Sequence, residues 1–338
     1  MFASNRVATA ALAAAMLLAP GAALADCKLL QMAEFHLDPH YGAPVMDGAI
    51  NGHPIKILID TGSSFSAVHS GAVQALHLNS YDTGERAYGI GGQAEVYKAH
   101  IDELKIGDFA KKNMDLLVTG DPRQAWDISL LLGADFLAQV DVEFDLPDHA
   151  VRLFRHVGCQ PPQLVYWGAA YSQAKLLPWE RDSPKLQAMA EVNGRPVLAE
   201  LDSGFSITTI DATVASAAGG KPTGGAPDEL RGVGPAAQTA TAARFDSFAL
   251  GDEKISNATL DTTRLRSDFE YMETGSLTPR RLDSSPSLFI GDDFFRAHRI
   301  YFDTADRLIM FSYAGGPVFQ RRSAPPPPSS TPGAPPNR

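Results

Sequence analysis

A twelve-residue stretch that occurs twice constrains this chain more than any other feature. Asn51-Gly52-His53-Pro54-Ile55-Lys56-Ile57-Leu58-Ile59-Asp60-Thr61-Gly62 returns 142 residues later as Asn193-Gly194-Arg195-Pro196-Val197-Leu198-Ala199-Glu200-Leu201-Asp202-Ser203-Gly204. The likeness continues in order. Gly89-Ile90-Gly91 returns as Gly232-Val233-Gly234, and Leu104 to Asp108 as Phe248 to Asp252. Leu131-Leu132-Gly133-Ala134-Asp135-Phe136-Leu137 returns as Phe289-Ile290-Gly291-Asp292-Asp293-Phe294-Phe295, and Val142 to Asp145 as Ile300 to Asp303. Preserved order over that many segments means an internal duplication, two versions of one folding unit.

Each copy reads as β-rich. Short apolar or alternating runs (Ile55–Ile59, Leu116–Val118, Val151–Phe154) are separated by Gly, Pro, Asn and Asp. Asn-Gly at 51–52 and 193–194 is the strongest short hairpin signal, leading each time into the strand that ends at Asp. Helical signals are few: Ser70 to Leu76, Asp211 to Ala218, and one turn after each late glycine. The expected fold is all-β with few short helices.

The ends fit a two-unit plan. Residues 1–25 read as a secretory signal, with Arg6 before an apolar Ala/Leu-rich run and Ala23-Leu24-Ala25 at the cleavage site. The competing reading is an N-terminal membrane anchor. No later stretch is long and apolar enough to span, so a secreted or periplasmic protein, off the membrane once the leader is removed, is expected. An N-terminal lobe then covers 26–155, an ordered connector 156–185 and a C-terminal lobe 186–314. Arg264 to Ser287 reads as a surface loop. A Pro/Ser-rich disordered tail covers 315–338. In an oxidising compartment Cys27 and Cys159 either pair or stay as free thiols.

Composition excludes several classes. With 44% hydrophobic and 20% charged residues, the chain is neither disordered, collagen-like nor coiled coil. A formal charge of −10 offers no basic excess for nucleic acid. Two cysteines are too few for a disulfide scaffold or a four-cysteine zinc site. His36-x-x-x-His40 has metal-ligand spacing, but Pro39 lies inside it and no third ligand stands out, so no metal or other cofactor is expected. His69, His77 and His298 lack a serine-nucleophile motif. Gly89-Ile90-Gly91-Gly92 is followed by no Lys-Ser/Thr, so it is not a phosphate loop.

The chemistry rests on Asp60 and Asp202. Each ends an apolar strand and enters a small-residue turn, Thr61-Gly62 or Ser203-Gly204. If the copies pack about a pseudo-twofold axis, the turns meet there and bring two carboxyls together. Two such groups cannot both ionise, so they share a proton. One then acts as base towards water while the other polarises a carbonyl.

These residues resemble the pepsin/retropepsin aspartyl peptidases in their two-lobed single-chain, secreted bacterial form. Asp60-Thr61-Gly62-Ser63-Ser64 and Asp202-Ser203-Gly204 resemble the two active-site motifs. Leu131-Leu132-Gly133 and Phe289-Ile290-Gly291 resemble the apolar-apolar-Gly signature behind each loop. Arg86-Ala87-Tyr88-Gly89-Ile90-Gly91-Gly92 resembles the flap. The resemblance covers most of residues 45–313. It implies two β-barrel lobes about a pseudo-twofold axis, catalytic Asp60 and Asp202, and loops braced by Thr61, Gly62, Ser63, Ser203 and Gly204. Tyr88, Gly89, Ile90, Gly91 and Gly92 would form a lid over an extended polypeptide substrate.

One departure stands out. Phe205 occupies the position after Gly where pepsins usually carry Ser or Thr bonded to the outer carboxylate oxygen and retropepsins carry Ala; losing that donor raises the share of the pair's pKa that falls on Asp202. Pro235 in the second flap-like loop leaves the first lobe as the expected source of the lid. The expected function is aspartic endopeptidase, acting as a monomer. The alternative is a non-catalytic secreted peptide-binding protein that keeps the fold.

Overall fold

The computed structural model describes residues 26–120, 127–179, 184–232, 234–265 and 285–319, and the backbone alone at 87–88, 271–272 and 280–281. The expected leader at 1–25, most of the 264–287 loop and the tail from 320 onward lie outside the described residues. The described chain is all-β with short helices, and its strands form two lobes joined by a third sheet.

Both lobes begin with the same hairpin. Val45–Ile50 pairs antiparallel with His53–Ile59, and Gln187–Val192 with Arg195–Leu201. Asn51 and Gly52 have φ of 50° and 79°, and Asn193 and Gly194 50° and 73°. Two consecutive positive φ values define the turn that matches strand twist, which is why Asn-Gly stands there twice. The second strand of each hairpin then runs parallel to the strand before the late glycine: His53–Ile59 beside Ile128–Leu132, and Arg195–Leu201 beside Leu288–Ile290. The two Asp residues are pinned at these strand ends. Asp60 N–H donates to Leu132 O at 3.0 Å and Asp202 N–H to Ile290 O at 2.9 Å.

Short helices follow at matched places. Ser70–Ala75 is capped by the His69 side chain, and Ala212–Ala217 by Asp211. Ala134–Leu137 and Asp292–Phe295 form the single turn after each late glycine.

The third sheet corrects the expected partition. The late repeats, placed by the sequence inside separate lobes, leave them and pair with each other. Its strand order is Lys28–His36, Ala150–Val157, Asp141–Asp145, His298–Asp303, Leu308–Tyr313, Ser172–Lys175. At its centre Val142 pairs with Phe302 and Phe144 with Ile300. Since Val142 corresponds to Ile300 and Phe144 to Phe302, this register is itself twofold, and the axis passes between Glu143 and Tyr301. Val142, Phe144, Ile300 and Phe302 are buried in the main core, so apolar burial joins the lobes.

The connector contributes Ser172–Lys175 to this sheet, and Trp167 Nε1 donates to Ser312 Oγ at 3.0 Å. The structure joins Cys27 and Cys159 in a disulfide. The expected tail boundary also moves. Residues 315–319 are ordered, because Phe319 buries its ring (4% exposed) against Phe248 and Phe294.

Candidate active site

Asp60 and Asp202 meet at the lobe junction, each partly buried at the end of its strand. Their loops are locked reciprocally. Thr61 Oγ1 donates to Leu201 O at 2.7 Å and accepts from Ser203 N–H at 2.9 Å. Ser203 Oγ donates to Ile59 O at 2.7 Å and accepts from Thr61 N–H at 3.1 Å. Each hydroxyl thus satisfies a backbone acceptor and a backbone donor of the opposite lobe. Both side chains are almost wholly buried (1% and 0% exposed).

Gly62 and Gly204 permit the close approach. A Cβ on Gly62 would overlap the Asp202 carboxyl, and one on Gly204 the Asp60 carboxyl. Each carboxyl therefore lies against the other lobe's turn, so the two face one another across the junction.

The pair is electrostatically unequal. Asp60 Oδ1 accepts two backbone N–H bonds, from Gly62 at 2.9 Å and Ser63 at 3.1 Å. Asp202 Oδ1 accepts one, from Gly204 at 3.0 Å. Burial raises both carboxyls above the usual range, and the bond from Asp202 and the N–H donors partly offset this for Asp60. Asp202 lies well above that range because of burial, the Asp60 charge and the Glu200 charge, in that order. The extra backbone donor makes the Asp60 side the better-held place for negative charge.

The Ser63/Phe205 difference acts otherwise than the sequence suggests. Ser63 Oγ turns away and donates to Phe65 O at 2.8 Å, so the extra donor to Asp60 is the Ser63 backbone N–H. In the second lobe Phe205 N–H instead donates to the Asp202 carbonyl oxygen at 3.2 Å. Its ring centroid lies 5.8 Å from that of Phe289, in a buried cluster that also holds Ile207 and Ile90.

Ile90 lies in the turn of the hairpin Ser80–Gly89 and Gly92–Ile106, the segment expected to form the flap. The hairpin crosses to the second lobe: Gly234 N–H donates to Ile90 O at 3.0 Å and Ala236 N–H to Gly91 O at 3.1 Å. The second loop therefore takes part, because its donors flank Pro235, which has no N–H to give. A Cβ on Gly91 or Gly234 would strike the opposing backbone. The Tyr88 side chain lies outside the described residues, while its backbone pairs with Gln93.

Two supports went unnoticed in the sequence. Ser66 Oγ donates to Asp135 Oδ1 and accepts from Gly133 N–H; Thr208 Oγ1 does the same with Asp293 and Gly291. Aligning each Asp two residues after its late glycine would have revealed them. Glu200, buried beside the pair and bonded to Gln187 Nε2 at 2.8 Å, was also missed. Its mate in the first repeat is apolar Leu58, so the duplication hides it.

Two lobes in twofold register, each delivering an Asp-Thr/Ser-Gly turn to the junction, are the architecture of the aspartyl proteases. Residues 46–139 match the family described as "gag-polyprotein putative aspartyl protease", and residues 188–278 match the family "Aspartyl protease". Each repeat therefore carries one matched aspartyl protease domain, consistent with a retropepsin-like two-domain aspartyl peptidase. Comparison with curated proteins gives no match.

Proposed function

We propose that the protein is an aspartic endopeptidase in which Asp60 and Asp202 activate water between them, as in the peptidases of this family. The observation that carries this reading is the asymmetric pair, set by two backbone donors on Asp60 against one on Asp202. Ionised Asp60 takes a proton from water while protonated Asp202 donates to the scissile carbonyl oxygen. The gem-diol adduct then collapses: Asp60 gives its proton to the leaving nitrogen, the C–N bond breaks, and Asp202 recovers its proton from a gem-diol hydroxyl as the acid carbonyl forms. An extended polypeptide lies between the lobes under the 89–92 lid, held by strand-like backbone bonds, so the clasp to Gly234 and Ala236 opens to admit it. The N-terminal 25 residues direct the enzyme to the periplasm or outside the cell.

The test is cleavage of an unfolded polypeptide at acidic to mildly acidic pH, with a statine-type transition-state mimic as inhibitor. Wild type should cut, and Asp60→Asn and Asp202→Asn should lose activity at least about a thousandfold. Equal inertness of wild type and Asp60→Asn would favour the non-catalytic peptide-binding reading, which is supported by Phe205, an apolar ring buried in one cluster with Ile90 of the lid hairpin.

A further inference from the structure

The central sheet carries a polar cluster on the face opposite the core. Along each of its strands, residues alternate between the faces. Val142, Phe144, Leu153, Ile300 and Phe302 enter the main core. Asp141, Glu143, Asp145, Arg152, His156, Arg299, Tyr301 and Asp303 therefore share the outer face, and the segment clipped by Cys27–Cys159 packs over it through Leu164 and Val165. At one corner Asp141, His156 and Asp303 offer ligand atoms within 4.8 Å of one another. His156 Nε2 stands 3.2 Å from Asp303 Oδ1 and 3.6 Å from Asp141 Oδ2.

This corner gathers two carboxyls and one imidazole almost out of reach of water, and the imidazole Nε2 hydrogen-bonds Asp303 Oδ1. Asp141 is 4% and Asp303 1% exposed, and the His156 side chain 6%. Thr304 donates to Asp141 Oδ1, Tyr301 OH to Asp141 Oδ2 at 3.3 Å and Asp306 N–H to Asp303 Oδ1. Asp303 Oδ2 and His156 Nδ1 are buried without hydrogen-bond partners.

The twofold-related corner handles the same difficulty with a guanidinium. There Asp145, the repeat mate of Asp303, meets Arg152 and Arg299, which also hold Glu143. The repeat mate of Arg299 is Asp141: a carboxylate stands where the other corner has its cation.

We propose that Asp141, His156 and Asp303 form a divalent-cation site, best matched by zinc, that ties the two lobes together. One imidazole and two carboxylates are ordinary zinc ligands, and bonds of about 2.0–2.2 Å in tetrahedral geometry set ligand atoms about 3.4 Å apart. The separations of 3.2 and 3.6 Å meet that spacing. The ligands come from strands of both lobes, so the cation bridges the junction, neutralises both carboxylates and leaves a fourth position to water. It lies across the sheet from the main core and takes no part in the chemistry proposed for Asp60 and Asp202, so its test is independent of that reading.

The experiment uses untagged protein stripped with chelator, dialysed at neutral pH and titrated with Zn2+ alone, with bound metal counted by mass spectrometry after gel filtration. One zinc per chain is expected, with the melting temperature up by about 4 °C at a hundredfold excess over Kd. Asp303→Asn and His156→Gln should each weaken binding at least about tenfold, while surface His40→Gln should not. Absence of stoichiometric zinc on folded wild type overturns the proposal, as does unchanged affinity in both ligand variants. The melting measurement uses the unaltered chain, so it decides the matter even if a variant misfolds.

Discussion

Removing the Thr61 hydroxyl tests the grip between the lobes most directly. Thr61→Ala leaves Ser203 N–H and Leu201 O without the partners they have at 2.9 and 2.7 Å. The site is buried and water cannot readily replace the hydroxyl. A buried backbone group left unpaired costs about 1–3 kcal/mol, so two give a loss of about 4 kcal/mol. That is a large share of the roughly 5–15 kcal/mol by which a domain is stable. Thr61→Ser keeps both bonds and loses one methyl, costing about 1 kcal/mol. Serine already performs the task at position 203, so the geometry tolerates it. Urea unfolding followed by tryptophan fluorescence measures both variants, and cleavage should fall with the grip in Thr61→Ala but survive in Thr61→Ser. A loss below about 1 kcal/mol for Thr61→Ala, or equal losses for the two, would refute the assignment of the coupling to that hydroxyl.

Glu200→Gln removes a negative charge near Asp202, so Asp202 ionises at lower pH and the alkaline limb of the pH–rate profile moves down; an unmoved or rising limb contradicts this. Both carboxyls are raised, so the stability they confer is complete below the ordinary carboxylate pKa and is lost as pH rises through their folded values. Asp202→Asn should therefore melt higher than wild type at about pH 7 and show no such gain at about pH 3. Gly234→Ala forces a methyl into the flap backbone and should release the clasp; amide exchange at Ala236 should accelerate at least about tenfold, and an unchanged rate would mean the two backbones are not in contact. Cys159→Ser opens a link between residues 132 apart and should cost about 2–5 kcal/mol in chemical denaturation, with no effect under reducing conditions.

The sequence by itself determined the repeated unit, its Asn-Gly hairpins, the short helices and the two Asp-Thr/Ser-Gly turns. Those features rest on local rules: φ preferences at Asn and Gly, alternation along a strand, and a likeness between two stretches of one chain. Tertiary structure decided which elements crossed between the copies. Asp141-Val142-Glu143-Phe144-Asp145 alternates like a half-exposed strand, yet both faces are buried: Val142 and Phe144 enter the main core, while Arg152 and Arg299 of the neighbouring strands lie against Glu143 and Asp145 on the other face. The flap clasp, the Phe205 seat and the burial of Phe319 likewise join residues far apart in sequence, which no local pattern encodes. The inequality of Asp60 and Asp202 also came from the fold. Two nearly identical motifs differ by one backbone N–H, and only the path of the chain after each glycine determines where that N–H points.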